Sequence, residues 1–391
     1  MAHYGTGKRD IMNKTLKVLV HGTGFAGQGH ADAFRAVGAE IVGIVGRTEH
    51  VTKDVAASMN IPYYSVDWEA ALLACKPDIV SIGTPGGAHY AAIKTAIAHG
   101  CHVFCDKPLT IDGAQGKELH RLALEKGVKT AFAASFRYMP DVIHAKQLVA
   151  AGMIGAPQEV ECISHFNLEK DIPFGWSHRK EEGGGRLNNN FTHKLSIVTS
   201  IIGEEILSIA GDVRDDLGQA PIIDGVHNFK SRRDFIPKDL DDPELKWGRS
   251  NVEWSYTVLA KIKSPFAVLP VSVLFKHGGL QPRFNEDHIA IYGSKGALYI
   301  KGHYGSGPLY HYSQGEWQEL PLPTAITDAL PMEIKGDTER NWRHLINLFV
   351  KDISGQPVEP YQTFAEGYLY QFIIDVIREN GNWIDVRTLQ Q

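Results

Sequence analysis

Cysteine is scarce in this sequence, with four residues in a chain of 391. So few thiols over such a length do not form a disulfide framework, which is typical of a protein kept in a reducing compartment. Cys101, His102 and Cys105 stand close together, but they fall in a strand-like run without a second pair of ligands nearby. We therefore expect buried thiols there rather than a metal site.

Long apolar runs and an excess of charge of one sign are also missing. Residues 1–14 lack the apolar core of a signal peptide, and no later run approaches the roughly 20 apolar residues of a membrane helix. The formal net charge is −5, which gives no general attraction to nucleic acid or anionic lipid. We expect residues 1–14 to be a poorly ordered extension and the protein to be cytoplasmic, without a membrane or nucleic-acid partner.

The composition that remains is that of an ordinary globular protein. Hydrophobic residues make up 43% and charged residues 22% of the chain, and neither value indicates disorder. The length is too great for one ordinary core. Together with the change of pattern described below, it predicts one domain over residues 15–135 and a second over residues 136–391.

Three glycines follow the apolar run 17–20 in the spacing G-x-G-x-x-G, just before a helical pattern. In a dinucleotide-binding fold, Gly22 permits the turn, Gly24 lets the backbone approach the pyrophosphate, and Gly27 lets the helix pack closely on the strand. The alternative is a glycine-rich loop without a ligand, but the strand before it and the helix after it favour the dinucleotide. The predicted cofactor-binding residues here are Gly22, Thr23, Gly24, Phe25, Ala26 and Gly27.

The residue after the second predicted strand indicates which cofactor is bound. An NAD site usually places Asp or Glu there to bind the ribose 2′-hydroxyl, whereas this chain has Arg47 and Thr48. Arginine offers a charged fork for a 2′-phosphate, and no carboxylate repels one. We therefore prefer NADP as the cofactor; if Arg47 only stacks on the adenine, NAD is equally acceptable.

Strand-like and helical segments alternate through the first 133 residues, which predicts a doubly wound parallel sheet, the Rossmann arrangement. Thr84 and Pro85 follow one strand and Lys107 follows the next. Ligands bind at the carboxyl ends of such strands, although a single Lys-Pro pair is more often an ordinary surface turn. The predicted strands are 40–45, 63–64, 78–82, 101–105 and 128–133, and the predicted helices are 29–37, 51–59, 67–74 and 88–99.

From residue 158 onward the pattern changes to runs rich in aromatic and β-branched residues. Such runs predict one large, mainly antiparallel open sheet in an α+β domain. The segment 212–249 is polar and contains several prolines; it is either a lid over the substrate or a solvated excursion. The predicted strands are 159–166, 252–264, 267–275 and 287–292, and the predicted helices are 188–202, 339–353 and 363–379.

The segment 176–193 is the richest in chemical groups. Asn189 and His193 lie four residues apart at a predicted helix start, so both can point from one helix face. A histidine on an amphipathic helix is usually a satisfied core residue, but its coincidence with Lys107 and the glycine motif favours a functional role. Trp176 and His178 could line a substrate site or simply pack.

Taken in order, these motifs resemble the glucose-fructose oxidoreductase and inositol dehydrogenase family, often called Gfo/Idh/MocA. The resemblance includes the glycine turn, Thr84-Pro85 followed by His89, Asp106-Lys107-Pro108, and the segments 135–140 and 151–155. The family carries Glu-Lys-Pro with a catalytic lysine, which matches Lys107, whereas Asp106 replaces the glutamate. The cofactor-binding residues that the resemblance adds are Thr84, Pro85, His89, Asp106 and Lys107.

The family's segment Gly-Gly-Gly-x-Leu-x-Asp-x-Gly-x-His matches the second-domain helix start. Its histidine corresponds to His193, while Asn189 replaces the aspartate and Phe191 replaces a glycine. An amide holds a sugar hydroxyl, but it cannot accept a proton or raise the pKa of the histidine as a carboxylate does. The expected substrate-binding residues are Asn189, Trp176, His178 and Arg137, and no residue is expected to bind a metal.

The resemblance implies an NAD(P)-dependent oxidoreductase that transfers hydride between the nicotinamide and a secondary alcohol or ketone of a sugar, cyclitol or related polyol. We expect His193 to act as general base in oxidation and Lys107 to stabilise the oxygen, or the two roles to be exchanged. The alternatives are a hydrolase or lyase that retains its nicotinamide, and a non-catalytic cofactor-binding protein. The large open sheet and the family resemblance also predict a homodimer or homotetramer.

Overall fold

The computed structural model describes residues 15–165, 171–226, 231–280, 287–379 and 381–389. The expected extension over residues 1–14 lies outside this range. The first part of the chain contains β1 (Lys17–His21), α1 (Phe25–Ala36), β2 (Glu40–Val45), α2 (Glu49–Ser58), β3 (Tyr64–Ser65), α3 (Trp68–Cys75), β4 (Ile79–Ile82), α4 (His89–Ala98), β5 (His102–Cys105), α5 (Gly113–Lys126) and β6 (Thr130–Phe132).

Six strands form a parallel sheet in the order β3-β2-β1-β4-β5-β6. Their side chains are almost fully buried along β1 and β4, as expected for strands covered by helices on both faces. The order reverses between β1 and β4, so the carboxyl ends of these two strands border the crevice in which doubly wound sheets bind ligands. The predicted Rossmann sheet is confirmed.

Helix α5 was not predicted, because two glycines, Gly113 and Gly116, lie in its first turn. The Asp112 side chain caps the helix by accepting a hydrogen bond from the backbone of Gln115 at 2.8 Å. Both glycines are needed because α10 lies against this turn: a Cβ at Gly113 would lie 2.3 Å from the ring of Phe372. Tertiary packing therefore offsets the poor helix propensity of glycine here.

The second part of the chain forms a large sheet with further helices. Its elements are α6 (Pro140–Ala150), β7 (Pro157–His165), α7 (Thr192–Ile202), β8 (Glu205–Arg214), β9 (Gln219–Pro221), β10 (Trp247–Arg249), β11 (Ser255–Lys263), β12 (Val271–Gly278), β13 (His288–Gly293), β14 (Ala297–Lys301), β15 (Leu309–Ser313), β16 (Glu316–Leu320), α8 (Thr324–Ala329), α9 (Asp337–Ile353), α10 (Phe364–Glu379) and β17 (Ile384–Asp385).

Nine strands make up this sheet, in the order β16-β15-β14-β13-β7-β12-β11-β8-β17. All neighbours are antiparallel except β7 and β12, which are parallel. The predicted large, mainly antiparallel sheet is confirmed. The segment 212–249 begins as the end of β8 and also contains β9 and β10, which pair as a separate two-stranded sheet.

Helix α7 carries the second-domain part of the site and is buried along its whole length. The C-terminal helices return to the first sheet: α9 packs on α1, where a Cβ at Gly29 would lie 2.5 Å from the Trp342 ring. Helix α9 of the second part of the chain thus packs directly on the first part. The boundary at residue 135 stays a prediction. Across the described ranges, no helix is long and apolar enough to cross a membrane.

Candidate active site

The glycine turn after β1 is shaped by close backbone contacts. Gly22 has φ +124°, and a Cβ on it would lie 2.7 Å from the carbonyl carbon of Gly83 at the end of β4. A Cβ on Gly27 would lie 1.9 Å from the Gly22 carbonyl oxygen. Only glycine fits at these two positions, which brings the N-terminus of α1 directly onto the ends of β1 and β4.

Gly24 differs from its two neighbours because open space lies above it. A Cβ there would meet nothing within 4 Å. Gly24 is also the N-cap of α1, no side chain caps the helix, and its first turn contains no acidic residue. The exposed amide groups and the positive end of the helix dipole therefore face a space suited to an anion. A buried hydroxyl oxygen, Thr84 Oγ1, lies at the end of β4 without a partner among the described residues. Together, these features fit the pyrophosphate of a dinucleotide.

The carboxyl end of β2 is where the sequence predicts the adenosine half of the cofactor. Arg47 is exposed there, and Thr48 is the N-cap of α2 with no hydrogen bond from its side chain to the helix. Positions 46–48 contain no carboxylate that would repel a 2′-phosphate. The local chemistry is therefore compatible with NADP, and the preference for NADP stays a prediction.

Lys107 connects the first domain to the second. It follows β5 in a turn whose Lys107-Pro108 peptide is cis. The backbone N–H of Lys107 donates a hydrogen bond to the Asp106 carboxylate at 2.8 Å. The Lys107 ammonium donates to Asn189 Oδ1 at 2.9 Å. Burial lowers the pKa of Lys107; the Asp106 charge opposes this shift, and the Arg186 charge adds to it. The structure thus brings together two residues that the sequence separates by 82 positions.

His193 is the second residue of α7 and is only 6% exposed. Its ring packs edge-on against Phe136, with 4.6 Å between ring centroids, and against Tyr304 at 5.2 Å. Its Nδ1 atom has no hydrogen-bond partner within the described part of the chain. Burial lowers the pKa of His193 well below its usual range, and the charges of Lys107 and His303 lower it further. The ring is therefore neutral at pH 7, as a proton acceptor must be.

Asn189 lies in a π-helical turn, Leu187–Phe191, that leads into α7. Such turns are frequent at functional sites. Phe191, at the position of the family glycine, is fully buried and packs edge-on against Tyr256 and Phe275. The core therefore accommodates the Phe191 ring in place of the glycine of the family motif. Asn189, in place of the aspartate of that motif, leaves a neutral group beside Lys107.

A buried ion pair holds the glycine-rich loop before this turn. Arg378 of α10 donates to Glu253 through two hydrogen bonds, of 2.9 and 3.0 Å, and the two side chains are only 7% and 4% exposed. Arg378 also donates to the carbonyl of Gly184 at 3.1 Å, and Glu253 accepts from the backbone of Leu187 at 2.8 Å. Gly185 has φ +94°, and a Cβ there would lie 2.3 Å from the Glu253 carboxylate. The pair thus fixes the backbone that carries Asn189.

A polar network that the sequence analysis did not predict lies behind the π-helical turn. Asn190 donates to the Tyr304 hydroxyl at 2.9 Å and accepts from the Tyr256 hydroxyl at 2.5 Å. Arg186 donates through Nε to His277 at 2.9 Å. No local motif marks Arg186 or Tyr304; the one signal in the sequence is the three consecutive asparagines at positions 188–190.

His89, an expected cofactor-binding residue, has both ring nitrogens close to backbone carbonyl groups. It is fully buried, with Nδ1 2.8 Å from the carbonyl oxygen of Pro108 and Nε2 2.7 Å from that of Thr84. Both ring nitrogens are thus engaged by the backbone. His89 thus connects the end of β4 to the turn that carries Lys107, and its contact with the cofactor stays a prediction.

Arg137 is expected to bind substrate, and this role stays a prediction. Its guanidinium forms an ion pair with Glu204, which lies beyond the C-terminal end of α7. His193 is at the opposite end of this 11-residue helix, about 15 Å away at 1.5 Å per residue.

His178 belongs to an aromatic cluster instead of an open site. It is fully buried, with its ring stacked on Phe174 at 5.3 Å and tilted against Trp254 at 5.2 Å. Burial lowers the pKa of His178 to about 4, and Arg232 and Arg179 add to this effect. Trp176 is half-buried in the same short helix, Trp176–His178.

The cysteines are free thiols, three of them buried and Cys75 half-buried. Burial raises the pKa of Cys101 to about 11, so this thiol is protonated at pH 7. Over the described ranges, no three His, Cys, Asp or Glu side chains are grouped so that they could hold a metal ion.

Two family models match the chain in sequence. One is described as "Oxidoreductase family, NAD-binding Rossmann fold" and matches residues 16–134, and the other, "GFO/IDH/MocA C-terminal domain", matches residues 142–299. The chain belongs to the Gfo/Idh/MocA oxidoreductase family. This confirms the resemblance that the motifs indicated, and it makes the protein an NAD-binding oxidoreductase.

Relatives of this Gfo/Idh/MocA enzyme match it over almost its whole length. An uncharacterized oxidoreductase of Synechocystis sp. is 23% identical and covers 96% of this chain and 97% of its own. The levoglucosan dehydrogenase of Pseudarthrobacter phenanthrenivorans is 24% identical and covers 95% of this chain and 98% of its own. A solved structure of levoglucosan dehydrogenase in complex with NADH and levoglucosan has a TM-score of 0.78 at 20% identity, covering 95% of this chain and all of that one, which shows the shared fold.

Proposed function

We propose that this Gfo/Idh/MocA enzyme transfers hydride between NAD(P) and a secondary alcohol or ketone of a sugar, cyclitol or related polyol. The observation that carries the proposal is the 2.9 Å hydrogen bond from Lys107 to Asn189. It joins the turn after β5 to the segment that leads to His193. Because β1, β4 and β5 are parallel, this turn lies at the same edge of the sheet as the glycine turn. Levoglucosan dehydrogenase, similar over its full length, acts on a sugar derivative by its name.

The nicotinamide, when bound, accepts or returns the hydride. His193 takes the proton of the substrate hydroxyl in oxidation, because the lowered pKa keeps its ring neutral at pH 7. Lys107 donates a hydrogen bond to the same oxygen and stabilises the negative charge that develops on it. Asn189 accepts a hydrogen bond from Lys107 and orients it. The side-chain amide nitrogen of Asn189 can donate to a neighbouring substrate hydroxyl.

NADP is the preferred cofactor in this proposal, because Arg47 is exposed at the end of β2 with no carboxylate beside it at positions 46–48. Arg47→Ala should raise KM for NADP by about 10- to 100-fold, the loss expected for one charged hydrogen-bonding group, and should leave KM for NAD nearly unchanged. Initial-rate measurements with both cofactors check this. An equal effect on the two cofactors would instead support stacking on the adenine.

A homodimer or homotetramer is also proposed, through the open face of the nine-stranded sheet. This face presents large apolar side chains that a single chain leaves exposed by 38–48%. They are Leu259, Tyr292, Tyr312 and Trp317. Light scattering coupled to gel filtration should show a dimer or tetramer, and Leu259→Lys should shift it toward the monomer because it places a charge on the contact.

The test of the proposed reaction is a panel of sugars, cyclitols and sugar acids assayed with NAD and NADP separately. Oxidation of an alcohol must give net reduced cofactor, visible in its absorbance, and a ketone product in equal amount. A hydrolase or lyase that retains its nicotinamide would cleave a substrate with no net cofactor change. A purely cofactor-binding protein would bind the dinucleotide tightly and turn over no compound in the panel.

A further inference from the structure

Tyr304 lies between β14 and β15 in a left-handed backbone conformation, with φ +52° and ψ 29°. Gly302 and Gly305, on either side of it, also have positive φ, of +92° and +76°. Residues other than glycine rarely adopt this conformation because it costs free energy, and those that do are concentrated at active sites and ligand clamps. Tyr304 is therefore a candidate for a functional role.

The ring of Tyr304 directly contacts His193, the proposed general base. The centroids of these two rings are 5.2 Å apart, with 62° between the ring planes. Phe136 lies edge-on against the same imidazole at 4.6 Å, and it also stacks on Tyr304 at 4.5 Å with an interplanar angle of 18°. Stacked and edge-on arrangements of this kind are those that aromatic rings prefer. His193 thus packs against two aromatic rings that support each other.

The Tyr304 ring is itself held in place. Its hydroxyl accepts a hydrogen bond from Asn190 Nδ2 at 2.9 Å, and Asn190 Oδ1 accepts one from the Tyr256 hydroxyl at 2.5 Å. The loop around it is closely packed, because a Cβ at Gly305 would lie 2.8 Å from Val142 Cγ2. These contacts leave the ring little freedom to turn.

The orientation of His193 depends on packing, because no hydrogen bond at Nδ1 holds its ring. This atom is buried and has no hydrogen-bond partner among the residues that the structure describes. A catalytic histidine is usually oriented by a third group that is bonded to its second ring nitrogen. At position 189, where the family motif has an aspartate, this chain has an amide whose oxygen accepts from Lys107. The contacts with Phe136 and Tyr304 therefore orient the imidazole.

We propose that Tyr304 is a positioning residue for His193. Its ring, supported by Phe136, holds the imidazole in the orientation in which it takes the proton of the substrate hydroxyl. The inference rests on the proposed function. It assigns to an aromatic contact the orienting role that a hydrogen-bonded partner has in other catalytic histidines.

Loss of this ring has two measurable effects. The imidazole samples other orientations, and a displacement of about 1 Å costs about 100-fold in rate. Water also reaches the imidazole, and because burial is the largest cause of the lowered pKa of His193, this pKa rises toward its ordinary value. The charges of Lys107 and of His303, which is ion-paired with Asp287, act on the same imidazole, and the substitution of Tyr304 removes neither.

The experiment compares Tyr304→Leu with Tyr304→Phe on a substrate that the panel identifies. Tyr304→Leu removes the ring and should lower kcat by about 10- to 100-fold, with KM changed by less than about threefold. The acid limb of its kcat/KM profile should move to higher pH by about half a unit or more. Tyr304→Phe keeps the ring, so it should retain kcat within about fivefold and leave the acid limb in place. Melting temperatures establish that both variants are folded.

Tyr361→Leu is the matched control. The Tyr361 hydroxyl donates to Asp352 at 2.7 Å and its ring lies edge-on to Phe349 at 6.3 Å, so it has the same kinds of contact as Tyr304. It lies between α9 and α10 instead of beside α7. Tyr361→Leu should leave kcat and the acid limb unchanged, whatever its effect on the melting temperature.

An unchanged kcat and acid limb in Tyr304→Leu, or equal losses in the Leu and Phe variants, overturns the inference and leaves the proposed function standing. If no compound is oxidised with either cofactor, the proposed function fails, and NMR titration of ¹⁵N-histidine-labelled protein then decides whether Tyr304 holds His193. The signal that His193→Gln removes should titrate at higher pH in Tyr304→Leu than in the wild type. An equal pKa in the two proteins overturns the contact.

Discussion

Replacing Asn189 by Asp would place a carboxylate beside the Lys107 ammonium, whose present hydrogen bond to Asn189 is 2.9 Å long. An opposite charge at this distance raises the pKa of a lysine by roughly 1–3 units. The Coulomb energy of two unit charges about 4 Å apart is about 4 kcal/mol at an effective dielectric constant near 20. Because one pKa unit corresponds to about 1.36 kcal/mol, this energy is consistent with a shift of that size. Because Lys107 is one of the charges that lower the pKa of His193, the new carboxylate also offsets this effect. The His193 pKa should therefore rise as well.

The sign of the effect on rate follows from these two shifts. Oxidation needs neutral His193, so the rate falls as pH drops through the lowered pKa of this histidine. It also needs protonated Lys107, so the rate falls again as pH rises through the lowered pKa of this lysine. In Asn189→Asp both values rise, and the whole profile of kcat/KM against pH should move upward by about one unit or more.

The assay is the initial rate of cofactor reduction from pH 4 to pH 10 for wild type and Asn189→Asp. Asn189→Ser, which is neutral, is the control: it should lower the rate without moving either limb. An Asn189→Asp profile that stays in place, or whose acid limb moves to lower pH, would refute the assignment of His193 as the general base and of Lys107 as the cation that stabilises the oxygen.

Two further changes test the supports of the site. Gly27→Ala places a methyl group where a Cβ would lie 1.9 Å from the Gly22 carbonyl oxygen, so dinucleotide affinity measured by fluorescence quenching should fall by about 100-fold or more. Gly218→Ala is the control and should leave affinity unchanged, because a Cβ there would meet nothing within 4 Å. Glu253→Gln leaves the buried Arg378 charge unpaired and should lower the free energy of unfolding by about 3–5 kcal/mol, seen as a melting temperature lower by several degrees. The control is Glu333→Gln, whose side chain is 63% exposed in its ion pair and whose loss should cost less than about 1 kcal/mol. Similar losses of stability in the two variants would contradict a structural role for Glu253.

Much of the first sheet could be predicted because its strands are buried on both faces and read as continuous apolar runs. The strand predicted over 40–45 is β2 with the same bounds. The first helix was placed at 29–37, whereas α1 begins at Phe25. The reason is that glycines at positions 24 and 27 indicate a turn in the sequence, although in the fold they allow the helix to begin directly at the phosphate-binding loop.

The helix predicted over 188–202 begins instead as the π-helical turn Leu187–Phe191, and α7 proper starts at Thr192. Hydrophobic periodicity cannot reveal this turn, because it goes with hydrogen bonds between Asn190 and two tyrosines more than 60 residues away. Tertiary contacts of this kind set local backbone geometry without leaving a local pattern.

The roles of the candidate site residues stay predictions, but the structure shows which of these residues lie close together. Lys107 and His193 could be named because each sits in a recognisable motif, and the structure links their segments through Asn189. The hydrogen bond from Arg186 to His277 could not be predicted, because the two residues are 91 positions apart in the sequence. The contacts of His89 with two backbone carbonyl groups and of Arg137 with Glu204 could not be predicted, because they join separate segments of the chain.

The most direct test of the account compares His193→Ala with the wild type on a substrate that the panel identifies. We expect the wild type to form reduced cofactor and ketone in equal amounts. His193→Ala should lose about 10²- to 10⁴-fold in kcat and bind the dinucleotide with unchanged affinity, because His193 lies on α7 and the glycine turn lies after β1. Full turnover by His193→Ala, or a wild type that cleaves its substrate without net cofactor reduction, would contradict hydride transfer assisted by His193.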